Sequence, residues 1–206
     1  MRIGVIGSGN IGGTLTRRLR ALGHEVAVSN TRGPESLADL AQETGATAAT
    51  PEDAIRDAEL VVLAVPLKAV PDLPSLDGKV VVDANNYYPG RDGQIAAIDG
   101  GAPSTRWVAG HAPGATLVKA FNTMNWRNLL GDGRPHGDPG RIAIPLAADD
   151  EAAKESVSAL IDALGFDPVD AGGLDDSWRQ EPGTPVYGAD LDARRTREAL
   201  AAATRG

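Results

Sequence analysis

An α/β fold with a doubly wound, mostly parallel sheet is what this sequence predicts, and three observations carry the expectation. Short apolar stretches such as Leu60–Val65 and Thr116–Phe121 recur along the chain. Segments with apolar residues at helical spacing separate them, which is the alternation of a parallel sheet. Successive rather than alternating apolar residues mark strands buried on both faces.

The elements follow in order. Arg2–Ile6 reads as the first strand. After it Ile11, Leu15, Leu19 and Leu22 repeat at helical spacing until Gly23 stops the helix. Glu25–Ser29 is the second strand and Pro34–Thr44 the second helix. Thr47–Ala49 reads as a short strand, Pro51–Asp57 as a brief helix, and Leu60–Val65 as a strand closed by Pro66. Lys79–Asp83, Thr116–Phe121, Arg141–Ala147 and Phe166–Val169 repeat the strand pattern, with a helix over Asp149–Leu164. Asn85–Gly93 and Gly131–Gly140 read as loops. Residues 1–173 form the main unit. Residues 174–206, a Pro/Gly-rich loop and a helix over Ala189–Ala203, are a small C-terminal extension of the same compact unit.

Composition narrows the classes. Of 206 residues, 42% are hydrophobic and only 4% aromatic, so one core of Ala, Val, Leu and Ile is expected. The net charge of −8, with no basic stripe, argues against nucleic acid. The absence of cysteine excludes disulfides and thiolate chemistry, and no His/Asp/Glu spacing suggests a metal site. No apolar run approaches the ~20 residues of a membrane span, and the first residues lead straight into a motif. A cytoplasmic protein without membrane contact is the expectation.

That motif is Gly7-Ser8-Gly9-Asn10-Ile11-Gly12, placed between a strand and an amphipathic helix. In this setting a Gly-x-Gly-x-x-Gly loop turns the chain, admits a pyrophosphate and packs helix on strand, with the helix N-terminus toward the phosphates. A Rossmann-type dinucleotide site is therefore expected. At the end of the second strand, where an NAD site usually carries a carboxylate, stand Asn30, Thr31 and Arg32. A hydroxyl and a guanidinium suit a 2′-phosphate, which points to NADP. An ordinary solvated arginine in a turn is the plain alternative. Ala64, Val65 and Pro66 would lie under a ribose or nicotinamide ring, and Lys68 either reaches a phosphate or faces water.

Together Gly7–Gly12, Thr31-Arg32, Leu63–Pro66 and Val118-Lys119-Ala120-Phe121-Asn122-Thr123 resemble the NADPH-dependent coenzyme F420 reductases and the cytosolic domains of the STEAP metalloreductases. The resemblance runs to about Gly173. It implies hydride transfer between NADPH and a flavin or deazaflavin, either F420, FAD or FMN, often in a homodimer. It also puts the nicotinamide end near Val65, Pro66, Asn85, Asn122, Thr123 and Met124. One departure is Asn122, where the archaeal F420 reductases carry a histidine.

Asn85 and Asn122 are the candidates to orient the carboxamide or the acceptor, although Asn85 and Asn86 could equally cap a loop. A carbonyl or imine reductase would also need a proton donor, for which Tyr87, Tyr88, His111 and Lys119 are candidates. A non-catalytic NADP sensor is the third reading. The few residues beyond the nucleotide unit imply a shallow, open acceptor cleft and a small-molecule redox substrate.

Overall fold

Leu60, Val61, Val62 and Leu63 are all buried, so the strand they form needs apolar partners on both sides. The computed structural model, which describes residues 1–205, supplies them. Its strands are β1 (Arg2–Ile6), β2 (Glu25–Ser29), β3 (Thr47–Ala48), β4 (Leu60–Leu63), β5 (Val80–Asp83), β6 (Thr116–Lys119), β7 (Ala143–Ala148) and β8 (Asp167–Asp170). They form one sheet in the order β3-β2-β1-β4-β5-β6-β7-β8. The first six run parallel, β7 is antiparallel to β6, and β8 is parallel to β7. This is the Rossmann arrangement with a reversed strand pair added at one edge.

The helices are α1 (Asn10–Ala21), α2 (Ala38–Thr44), α3 (Pro51–Arg56), α4 (Pro89–Asp92), α5 (Ala96–Asp99), α6 (Ser104–His111), α7 (Trp126–Gly131), α8 (Glu151–Ala163) and α9 (Ala193–Ala202). Leu60 and Val62 face the side covered by α1 and α8, with Leu15, Leu19 and Leu160. Val61 and Leu63 face the side covered by α3 and α6, with Ile55 and Val108. At about 1.5–3 kcal/mol for each fully buried Val, Leu or Ile, this division penalises a slipped register of β4 heavily. Helix α9 packs on β7 and β8, burying Leu200 near Val169.

The structure corrects several boundaries. Leu22 follows α1 and is 41% exposed instead of joining its apolar face. Pro34–Thr44 divides into a 3-10 turn, Pro34–Leu37, and the helix α2, because Gly33 (φ +88°) and Pro34 start the segment abruptly. The loops read over Asn85–Gly93 and at Gly131 contain α4 and the end of α7. The C-terminal loop contains a 3-10 helix, Leu174–Gln180.

On either side of β1 the chain departs in opposite directions, to β2 and to β4, so β1 and β4 flank the point where strand order reverses. A crevice opens there, past the carboxyl ends of the strands, where this architecture binds ligands.

Candidate functional site

The turn after β1 is possible only with glycine at two places. Gly7 has φ +105°, and a Cβ there would lie 2.2 Å from the Ala64 carbonyl oxygen. A Cβ at Gly12 would lie 1.8 Å from the Gly7 carbonyl oxygen. Between them, a Cβ on Gly9 would meet nothing within 4 Å, so the surface of the loop is open to a ligand. Helix α1 starts there with no side-chain cap and no acidic residue in its first turn. Its first N–H groups and the positive end of its dipole face the opening.

At the end of β2 the Asn30 amide donates to Ser8 Oγ (2.9 Å) and its Oδ1 accepts from the Arg32 N–H (2.8 Å). This turn ties the second strand to the glycine loop and leaves Thr31 and Arg32 exposed. The Arg32 guanidinium makes no ion pair among the described residues.

Two lobes open from the glycine loop. One, of about 380 Å³, is lined by Gly7, Ser8, Asn30, Thr31, Arg32 and Leu73, among others. The second, of about 440 Å³, reaches Asn85, Asn86, Tyr88, Met124, Trp126 and Tyr187. Gly9, Ala64, Val65 and Pro66 line both, so the lobes meet over the loop. Asn10, Ile11 and Asn122 belong to the second. Lys68 is exposed on the turn after Pro66 and Thr123 is buried, and neither lines a lobe. Of the two alternatives the sequence leaves for Lys68, this exposed position outside both lobes fits the one that faces water.

A buried ion pair holds the wall of the second lobe. Asp83 and Lys119 stand opposite one another in register at the ends of β5 and β6. Both side chains are fully buried, and Lys119 Nζ donates to Asp83 Oδ2 (3.1 Å) and to the Asn85 carbonyl (2.5 Å). Asp83 also accepts from Thr105 Oγ1 (2.6 Å) and from the Asn85 N–H (3.0 Å). Asn85 Oδ1 in turn accepts from the Val65 N–H (2.7 Å), while Asn85 Nδ2 is buried without a partner. An orphaned buried amide costs about 1–3 kcal/mol, and a ligand carbonyl in this lobe would satisfy it. The open glycine loop, the uncapped helix and this unpartnered amide fit a dinucleotide.

Asn122 plays a different part from the one its position suggested. Phe121 before it has φ +63°, an uncommon conformation for a bulky residue, and turns the chain back toward β5. Asn122 Nδ2 donates to Asn86 Oδ1 (3.0 Å) and to the Gln180 carbonyl (2.6 Å), and its Oδ1 accepts from Gln180 Nε2 (2.9 Å). Both amide hydrogens are engaged inside the protein. Asn122 therefore joins the C-terminal segment to the cleft wall, a correction to its role as an orienting donor.

The candidate proton donors separate cleanly. Lys119 is held in the ion pair. Tyr87 donates to Asp99 (2.8 Å), and His111 lies against Trp107 with ring centroids 4.1 Å apart; neither lines a lobe. Tyr88 does line the second lobe, and there it meets Tyr187, hydroxyl to hydroxyl. Burial, reinforced by that hydrogen bond, pushes the Tyr187 phenol up to about 12. Trp126, Gln180 and Tyr187 were not legible as site residues, being isolated in loops or at a helix start without a motif.

Among the described residues no group of three or more His, Asp or Glu is placed to hold a metal ion, and no helix is long and apolar enough to cross a membrane.

Comparison with known proteins gives a consistent picture. Residues 2–87 match the family model described as NADP oxidoreductase, coenzyme F420-dependent. The rat metalloreductase STEAP3 is 30% identical over 177 residues, 84% of this chain and 34% of that protein. A Sinorhizobium meliloti protein of known structure, the hypothetical protein SMa0349, superposes with TM-score 0.80 at 34% identity, covering 93% of this chain and 95% of that one. A protein of Arthrobacter sp. FB24, proposed to be an F420-dependent NADP reductase, superposes with TM-score 0.71 at 29% identity over 87% of each chain. The chain spans 63% of one curated relative, the Escherichia coli protein YjhV, and about a third of the STEAP proteins.

Proposed function

We propose that this chain, whose residues 2–87 match the family model described as NADP oxidoreductase, coenzyme F420-dependent, transfers hydride between NADPH and a flavin or deazaflavin ring bound in the second lobe. The observation that carries the proposal is the two-lobed cleft meeting over an open glycine loop, with the unpartnered Asn85 amide on its far wall.

In this reading the loop Gly7–Gly12 and the first N–H groups of α1 hold the pyrophosphate. Thr31 and Arg32 take the 2′-phosphate, and Leu73 and Pro74 give the adenine an apolar wall. Ala64, Val65 and Pro66 carry the nicotinamide end, and Asn85 Nδ2 donates to its carboxamide. When bound, NADPH supplies the hydride. The protein contributes position, by setting the two rings within reach of one another. Trp126, Tyr88 and Tyr187 offer aromatic surfaces against which a flat acceptor stacks.

A second reading, reduction of a small carbonyl or imine compound, is favoured by the Tyr88 and Tyr187 hydroxyls in the same lobe. Single-turnover oxidation of NADPH, with F420, FMN and FAD in turn and then a carbonyl panel, separates the two. Oxidation by a ring acceptor supports the first. Turnover with carbonyl compounds alone moves the second to first place.

A further inference from the structure

Two phenols share one hydrogen bond at the mouth of the second lobe. Tyr88 comes from the loop after β5, and Tyr187 from the C-terminal segment 99 residues later. That segment is fixed for the purpose. The Gly188 N–H donates to the Thr123 carbonyl (2.8 Å), and Gln180 is locked to Asn122. A pair of hydroxyls has two hydrogens and needs only one between them. Neither phenol oxygen has another hydrogen-bond partner among the described residues, so one O–H is left to donate elsewhere. Because the two oxygens are linked, each polarises the other and the free donor is the stronger for it.

The surroundings leave room for negative charge. The Arg91 guanidinium lies 4.9 Å from the Tyr88 ring centroid. It is paired with Asp92, which also accepts from the Tyr88 N–H (3.0 Å). The charged groups placed at Tyr88 are thus a balanced couple. Both tyrosines line the lobe that holds Asn85 and Pro66.

We propose that the Tyr88–Tyr187 hydroxyl pair is a hydrogen-bond donor for the negative charge that hydride arrival creates on the acceptor, with the C-terminal segment supplying the half of the pair that completes it. This rests on the reading of the second lobe as the acceptor site. The balance of the step is simple. A C–H bond of the dihydronicotinamide breaks and its electron pair goes with the hydrogen to the acceptor, leaving NADP⁺. A double bond of the acceptor opens, and its electrons come to rest on a heteroatom, the pyrimidine-side nitrogen or carbonyl of a flavin-type ring or the oxygen of a ketone. The free phenolic O–H donates a hydrogen bond to that atom and keeps its own proton, and any proton the reduced acceptor takes up comes from water at the open lobe. Burial keeps Tyr187 protonated across the neutral range, so the donor is always loaded.

The test reads both binding and chemistry. With NADP⁺ bound, 4-nitrophenolate mimics the anionic acceptor and nitrobenzene mimics a neutral one. In titration calorimetry Tyr187→Phe and Tyr88→Phe should each weaken 4-nitrophenolate about tenfold or more, the scale of one hydrogen bond to a charged group, with nitrobenzene unchanged. In single-turnover kinetics the same variants should slow NADPH oxidation by FMN or by 5-deazariboflavin about 100-fold. Oxidation by a quaternary cyclic iminium ion, which becomes neutral on accepting hydride, should keep its rate. Unchanged phenolate affinity in both variants, or equal losses for charged and neutral ligands, would overturn the donor role. A wild type that binds NADP⁺ and prefers the phenolate, yet oxidises NADPH with no acceptor, would instead refute the reductase reading and leave the donor pair standing.

Discussion

Replacing Lys119 by Met keeps the length of the side chain and deletes its charge. The partner, Asp83, is fully buried and cannot turn to water. Removing one member of a buried pair costs about 3–5 kcal/mol, because the other charge is left uncompensated. Asp83 retains two donors, Thr105 Oγ1 at 2.6 Å and the Asn85 N–H at 3.0 Å, which brings the expectation to the lower end, about 3 kcal/mol. A domain holds roughly 5–15 kcal/mol in all, so the variant should fold and melt early. The double variant Lys119→Met/Asp83→Asn should lose less than the sum of the singles, with a coupling of about 1–3 kcal/mol. There is a second consequence at the site. Lys119 also grips the Asn85 carbonyl at 2.5 Å, so NADPH affinity should fall although Lys119 lines neither lobe. Urea unfolding followed by circular dichroism, with and without NADPH, measures both effects. A loss below 1 kcal/mol, or strict additivity in the double variant, would refute this account of how the cleft wall is held.

Three further outcomes follow from the site. Arg32→Ala should weaken NADPH by about 2 kcal/mol, near thirtyfold, since a dianionic phosphate some 4 Å from an exposed cation gains about 1 kcal/mol per charge in water. NADH affinity should barely change, and equal loss for both cofactors in calorimetry would remove Arg32 from the 2′-phosphate site. Gly9→Val should abolish NADPH binding with an unaltered circular dichroism spectrum, because its side chain would rise into the open space where no protein atom now lies within 4 Å. Unchanged affinity would reduce the loop to a corner. The Tyr187 phenol lies above its ordinary value, at about 12, so the folded protein binds that proton more tightly than the unfolded chain. Its contribution to stability is complete below pH ~10 and is lost as the pH climbs from there toward 12. Tyr187→Phe should therefore flatten the stability profile in that window and remove the latest tyrosinate absorbance. A profile identical to wild type would contradict it.

The strands were legible wherever both faces are buried. Arg2–Ile6 and Glu25–Ser29 stand where the apolar pattern put them, because a slip of one residue would expose one face's side chains. The glycine loop was legible for a similar reason, since Gly7 and Gly12 are fixed by backbone contacts that any Cβ would violate. Helices α4 and α5, four residues each, are too short for any periodic signal, and the eight-residue α6 was not legible either. The far wall of the cleft was legible only in part. Asn85, Asn122 and Met124 lie on it, but the Asn122 amide is spent on Asn86 and on Gln180, a residue 58 positions away whose burial no local pattern announces. Tyr187 was hidden in the same way, its role depending on a hydroxyl brought by another loop.

The central claim is that NADPH bound over the glycine loop delivers hydride to a ring in the second lobe. Stopped-flow mixing of the NADPH complex with F420, FMN or FAD, followed at the NADPH absorbance, tests it directly. At least one ring should be reduced with saturation kinetics, at a rate well above the same mixture without protein, and Gly9→Val should return that rate to the uncatalysed level. Bound NADPH that outlasts all three rings unchanged would contradict the claim.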